Sequence, residues 1–531
     1  MLNLLLFSCA RVGAPNGGTR DSLAPKFLGS NIDTTRLNVS RTVKELRLDF
    51  DEYVMLKDFN KNFNVSPPIK KIKKVIPSNL ANKYVLIQWE DTLQANTTYN
   101  FNFGNAIVDN NESNPLPYFN FAFSTGDKID DLFVSGTVKD AMTLIKENQT
   151  AKDNKMVVGL YKAGENLDYK QKPDYITKVD EENYFELNFL PKGEFVIIAF
   201  DDENQNSVYD AGKEKVSFLK EKITLDSTSV RGLKLKLYPS KKVVKYKESK
   251  AINGGLLMTF EGNPETVEVK SLSEDLKDFK VTHAKRSDSV NIWFDAEKSN
   301  LGGTVSKQVK LSYFTPTISD TISVSYKAVK DEFKLSNEAG NLIAPENNFV
   351  INTSLPIENL NTSSWKLESD SIAQDFTAKV SEKNPFKILV NSSFKPTKKY
   401  VLTIPKETVS SYYSSNDKSF QFQFEIDKPE NYGSFTAVIK NKPTAKFWVE
   451  LTNEKGEILY SQFTNASEVS FKNLKPATYI ARIRVDNNGN GFWDEADFAQ
   501  NIAAEDVYIF EKEINVRPLW EIKEDWELTN H

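Results

Sequence analysis

The sequence predicts an all-β protein built of tandem β-sandwich modules in the order A–B–C–A′–B′. Three observations predict it. Short segments alternate apolar and polar residues with a period of two, the signature of strands with one wet face. The 531 residues include 35 Phe and 20 Tyr but only 5 Met and 2 His, a balance that favours strands. Two different blocks of sequence recur along the chain, so one supersecondary plan is used twice.

The first element is residues 1–21. Residues 1–8, MLNLLLFS, form an apolar run too short to be a helix of the fold or to cross a bilayer. Small residues then surround Cys9, the only cysteine. One thiol excludes internal disulfides and thiolate zinc sites, so each module must be held by burial alone. Leu6 stands three positions before Cys9 and Ser8 directly before it. This resembles the lipobox of bacterial lipoproteins. The resemblance implies that the Cys9 thiol is acylated, that the preceding peptide is removed, and that Cys9 becomes the N-terminus. Each buried acyl methylene contributes ~0.8 kcal/mol, so two or more chains hold a protein on a membrane. Residues 10–21 show no packing pattern and read as a tether.

Module A spans 22–128. LRLDFDEYV (46–54) alternates Leu46, Leu48 and Phe50 against Arg47, Asp49 and Asp51, and YVLIQWE (84–90), YNFNFG (99–104) and YFNFAFSTG (118–126) behave alike. Pro67-Pro68 and Asp109-Asn-Asn mark turns between them. Short strands at this spacing predict a sandwich. Module A′, 331–428, repeats it. LQANTTYNFNFG (93–104) reappears as FKPTKKYVLTIP (394–405), and YFNFAF (118–123) as SFQFQF (419–424), both 301 residues on. The same offset lays Leu48, Phe50 and Val54 on Phe349, Ile351 and Leu355.

Module B, 129–240, has its own copy in B′, 429–531. FLPKGEFVIIAFDDENQNSVYD (189–210) matches NLKPATYIARIRVDNNGNGFWD (473–494) at an offset of 284, while GTVKD (136–140) pairs with AVIKN (437–441) at 301. The difference places a longer loop in the first copy, at 142–154. Module C, 241–330, holds VNIWFDAE, QVKLSYFT and TISVSYKA, again strand-like.

The A modules resemble the bacterial Ig-like domain family first described in S-layer proteins. The B modules resemble carboxypeptidase-regulatory or transthyretin-like sandwiches. The whole layout, from CARVGAPNGGTRDSLAP onward, resembles the Ig-like-domain lipoproteins of Bacteroidota. Such folds host many activities, so the resemblance speaks to architecture more than to role.

Net charge is −5, with 68 basic against 73 acidic residues and no long basic run, which gives no field for nucleic acid. His283 and His531 are the only histidines, so a histidine-based triad or metal centre has almost nothing to be built from. Paired carboxylates of the glycosidase kind cannot be picked out among 73 acids. The expectation is a protein that is not an enzyme.

One motif carries site chemistry, D-x-N-x-N. Asp202, Asn204, Asn206 and Asp210 in B align with Asp486, Asn488, Asn490 and Asp494 in B′. Oxygen ligands at positions 1, 3 and 5 are how calcium loops wrap a hard cation, with Gly at 6 easing the turn. The second copy has Gly491 at that place and Asp497 at position 12, where a closing carboxylate belongs; the first has Ser207 and Lys213, with Glu214 next to it. Calcium is therefore the expected cofactor beside the acyl chains on Cys9. The alternative is a hairpin loop closed by Asx side chains capping backbone amides. Tyr412, Tyr413, Trp365, Trp520 and Trp526 are either sugar-stacking surfaces or core.

The functional expectation is a non-enzymatic, lipid-anchored scaffold or accessory lipoprotein of the outer membrane. It would present Ig-like modules to a membrane-protein partner in an assembly, secretion or uptake complex; the alternative is a surface adhesin or glycan-binding lipoprotein. Residues 10–13 lack the acidic residues that the resemblance links to surface export, so the cell surface and the periplasmic face both stay open.

Overall fold

The computed structural model describes residues 21–144, 155–164, 167–329, 332–338 and 340–528. Cys9, most of the 142–154 loop and His531 lie outside the described residues. The described residues are almost all strand, turn and loop, with one four-residue α-helix at Phe59–Asn62 and one 3₁₀ turn at Pro429–Asn431. The chain forms tandem Ig-like β-sandwiches. No helix among the described residues is long and apolar enough to cross a membrane.

Two compact units contain the sandwiches. One takes in 21–139, 155–210 and 216–237; the other takes in 140–144, 211–215 and 238–528. In the first unit, one sheet runs Phe27–Ser30, Glu45–Leu56, Asn82–Trp89, Ile72–Ile76, with Ile107–Asp109 added on Glu45–Leu56. It faces a three-stranded sheet of Asn64–Ser66, Thr98–Gly104 and Phe119–Ser124. The period-two alternation sends Leu46, Leu48, Phe50, Phe101, Phe103 and Phe123 into the space between, where all are buried. A second core in this unit, from Leu132 to Leu237, lies between the sheet of Leu132–Asp140, Tyr184–Leu190 and Val230–Leu237 and the one centred on Met156–Lys162 and Gly193–Asp201. The other unit holds three apolar cores, made mainly by residues 256–326, 333–426 and 435–528.

The register tests the repeats. Gly136 faces Phe185 in B, and Ala437 faces Val469 in B′, as offsets of 301 and 284 require. Tyr99 faces Phe123, and Tyr400 faces Phe424, again at 301. The first block of A pairs differently in its copy. Leu46 and Leu48 face Ile87 and Val85, while Phe349 and Ile351 face Val390 and Ile388. With Leu48 on Phe349 at 301, its partner Val85 falls on Val390 at 305, so the pairing between these two strands slips by four. An even shift leaves every side chain on its own face, which is why the apolar pattern alone could not detect it.

Turn chemistry follows the residues expected of it. Asp109 is buried, and its carboxylate accepts the amides of Asn111, Glu112 and Asn114 at 2.6–2.8 Å and that of Ser113 at 3.2 Å. Burial pushes its pKa up, but these amides together hold it below the ordinary aspartate value.

Candidate functional site

The two D-x-N-x-N loops follow the strands Gly193–Asp201 and Ala477–Val485. In both, the first aspartate turns inward and is buried. Asp202 accepts the amides of Asn206 (3.0 Å) and Ser207 (3.1 Å); Asp486 accepts those of Asn490 and Gly491, both at 3.0 Å. The position-3 amide crosses the loop to the position-9 acid, Asn204 to Asp210 at 2.6 Å and Asn488 to Asp494 at 2.5 Å. Positions 4 and 6 are left-handed in both copies: Gln205 and Ser207 at φ 58° and 62°, Gly489 and Gly491 at 73° and 81°. The second copy uses the residue that adopts this conformation without penalty, and the first does not.

The second loop has partners the motif does not name. The Arg286 guanidinium pairs with Asp494 at 2.7 Å and donates to Glu265 at 2.5 Å, and it lies 4.6 Å from the Phe492 ring centre. Burial pushes the Asp494 carboxyl up, but Asn488, Asn490 and Arg286 hold it below the ordinary range. Asp497 and Glu505 hold different parts of this loop. The Asp497 carboxylate accepts the Gln500 amide in the turn that follows, whereas buried Glu505 accepts the amides of Asn488 (3.1 Å) and Asp494 (2.9 Å). Sequence reading missed Glu505 because it sits outside the twelve-residue spacing, on the far side of a loop. Each loop is thus closed by its own hydrogen bonds. Among the described residues no group of three or more His, Cys, Asp or Glu is placed to hold a metal ion; any cation here would rely on the asparagine oxygens as well. Tyr209 packs on Phe200 (5.9 Å), and the Trp493 indole donates to the Glu505 carbonyl, so both rings support their loops.

The aromatic candidates separate. Trp365 and Trp526 are core residues, the first donating to Thr408 Oγ1 at 2.9 Å. Tyr412 and Tyr413 pack against the core of A′, with the Lys280 ammonium 4.4 Å from the Tyr412 ring centre. Trp520 is half-exposed beside Arg517. His283 is half-buried, one ring nitrogen 3.0 Å from the Ser287 carbonyl oxygen.

A groove within the first unit, between modules A and B, encloses about 900 Å³. One wall is the outer face of the sheet Asn64–Ser66, Thr98–Gly104, Phe119–Ser124. Register places Asn64, Asn102 and Asn120 side by side across its three strands. The opposite wall is Tyr175–Lys178 and Tyr184–Leu190 with the turn between them. The Ile176 amide donates to Ser66 Oγ at 3.2 Å and joins the walls. Tyr118 stands at the rim with 69% of its surface exposed and φ 52°. It is held there by its amide, which donates to Asn105 Oδ1, and by its carbonyl, which accepts from Asn120.

Residues 21–125 match the model of a family described as bacterial Ig-like domain. That match covers module A and places an Ig-like domain there. No curated protein matches the chain. Among solved structures, domains 1–6 of the surface layer protein SbsC align over 93% of this chain and 67% of theirs at 11% identity, with a TM-score of 0.16. The Bacteroides ovatus mixed-linkage glucan utilization locus protein SGBP-B, solved with a heptasaccharide, aligns over 73% and 94% at 9% identity and 0.20. The Bacillus anthracis TIE protein aligns over 97% and 76% at 11% identity and 0.13. Global agreement this low assigns no function.

Proposed function

We propose that the protein is a non-enzymatic scaffold, anchored to the outer membrane by acyl chains on Cys9, that presents its sandwich modules to a membrane-protein partner. The observation that supports it most is the edge strand Ile458–Thr464 of module B′. This strand ends its sheet and exposes Ile458, Leu459 and Phe463, each at 44–50%. Proteins normally guard such edges with charge, proline or a covering loop. An open edge with three exposed apolar residues offers backbone pairing and apolar contact to an extended segment of a partner. Phe463 is pre-placed by stacking on Trp448 with ring centres 4.4 Å apart.

Two experiments test it. Metabolic labelling with an alkyne fatty acid should tag the parent chain and not Cys9→Ala, and the variant should leave the membrane fraction; an unlabelled parent removes the anchor. A photocrosslinking residue at Phe463, used in cells, should trap one membrane protein, whereas the same probe at Tyr53 on module A should not. Equal, diffuse crosslinking from both sites would sink the docking role.

A further inference from the structure

We propose that the groove between modules A and B binds a neutral oligosaccharide chain. This needs neither the anchor nor the partner of the scaffold reading, so its failure leaves that reading standing. Four features of the groove carry it.

The first is the wall chemistry. Seven asparagines line the groove, and the row Asn64–Asn102–Asn120 runs across a sheet face. A carboxamide offers donors and an acceptor in one group, as a sugar hydroxyl does, so a row of amides matches a row of hydroxyls. The same row in A′ reads Lys366–Thr403–Gln421. The amide ladder therefore belongs to this groove and is not a demand of the sandwich.

The second is unmet hydrogen bonding. The side-chain oxygens of Asn100 and Asn120 are buried without a partner. Buried carbonyls left unpaired are costly and uncommon. Both asparagines line the groove, where a sugar hydroxyl would supply the missing donor.

The third is charge. Three lysines and five acids line the walls, interleaved: Lys57 precedes Asp58, and Lys178 stands two residues from Asp180. Such a mixture has little net pull on a polyanion or a polycation. The fourth is the ring at the rim. Tyr118 holds a left-handed backbone conformation that is uncommon outside glycine, and this presents its ring to solvent beside the ladder. An exposed tyrosine face stacks on the C–H face of a pyranose. The volume of about 900 Å³ is within the usual range for ligand clefts. An added peptide strand fits less well, because the amides stand on the face of the sheet and not along its edge.

The test is calorimetric titration of the full chain with neutral hexasaccharides of the β-gluco, xylo and manno series, with hexagalacturonate and an extended Gly-Ser peptide alongside. At least one neutral hexasaccharide should bind, and Asn102→Ala/Asn120→Ala should weaken it about tenfold or more. Tyr118→Ala, a surface change that leaves the ladder intact, should weaken it comparably. Gln421→Ala/Gln423→Ala on the matching face of A′ should change nothing. The proposal is overturned if no neutral hexasaccharide binds, if the acidic sugar or the peptide binds more tightly, or if both groove variants bind like the parent with unchanged melting temperature.

Discussion

In module B, Gly159 stands opposite Ile198; at the same places in B′, Glu450 stands opposite Arg482. Phe200 is likewise replaced by Arg484. The two sheets share order and register, yet this face is built from opposite chemistry. In B it is apolar, and Pro173 lies so close to Gly159 that a Cβ would come within 2.4 Å of its ring. In B′ a fully buried carboxylate is gripped from two sides: Arg482 donates to one Glu450 oxygen at 2.9 and 2.7 Å, and Arg484 to the other at 3.0 and 2.5 Å. The Arg484 guanidinium lies about as far from Trp448 (5.9 Å) as from Trp493 (5.8 Å), the second being the ring that supports the calcium-like loop. A duplicated sandwich thus tolerates either solution, provided each buried group finds its complement. A buried ion pair need not be more stable than apolar packing, but half of one is costly.

The largest effect expected from breaking this contrast is Glu450→Ala. It leaves the buried Arg482 and the half-buried Arg484 guanidinium groups without their carboxylate and should cost about 3–5 kcal/mol. Native-state hydrogen exchange along Ala477–Val485 reads it, since a multi-module chain has no single unfolding free energy. Rewriting the triad as B has it, with Glu450→Gly, Arg482→Ile and Arg484→Phe together, should cost less than the single change. If the triple variant is the worse, the two faces are not interchangeable.

Next come the loop backbones. Gln205→Gly and Ser207→Gly relieve left-handed strain and should each stabilise the first loop by about 1 kcal/mol, while Gly491→Ala should weaken the second by a similar amount. Exchange at the Ser207 and Gly491 amides, both held by the first aspartate of the loop, measures it.

Acid should separate the loops. Burial raises the Asp202 carboxyl above its ordinary value despite the amides of Ser207 and Asn206. A raised carboxylate costs stability once ionised, so this contribution improves as pH falls through the raised value. Asp494 is lowered, so its contribution is complete above the unfolded value and is lost as pH falls below it. Burial also raises Glu505 in the second loop, so from about pH 5 to about pH 3 acidification should tighten the first loop, while in the second the loss at Asp494 and the gain at Glu505 oppose each other. Arg286→Ala, which removes one cause of the Asp494 lowering, should shift the second loop towards tightening. Parallel profiles in the two loops would contradict the assigned environments.

Calcium should have the smallest effect, because hydrogen bonds already close both loops. We expect a gain under about 1 kcal/mol in the parent at millimolar calcium. The gain should be larger in Arg286→Ala, where the cation no longer competes with a guanidinium for Asp494. Equal responses in the two proteins, measured by melting temperature against a chelator control, would show that the ion does not use Asp494.

Much of the architecture is written in local pattern. Leu46, Leu48 and Phe50 alternate because a strand alternates, and all three are buried. The recurrence of FVIIAFDDENQNSVYD as YIARIRVDNNGNGFWD marks the duplication and its loops without any coordinates. The sites were less legible. Asn64, Asn102 and Asn120 lie on three separate strands, and only their pairing makes them a row. Arg286 reaches Asp494 across 208 positions (286 to 494), and Glu505 enters its loop from beyond the motif.

By itself the sequence determined strand period and loop chemistry, because these depend on residues within about ten positions of one another, where backbone geometry and turn preference act, and it determined module repetition because the same local patterns recur at a fixed offset. Tertiary structure alone decided the amide row, the Glu450 clamp and the Arg286 pairing. Each depends on register and on which faces meet, and an even slip or a different neighbour leaves the local pattern intact while changing every such contact.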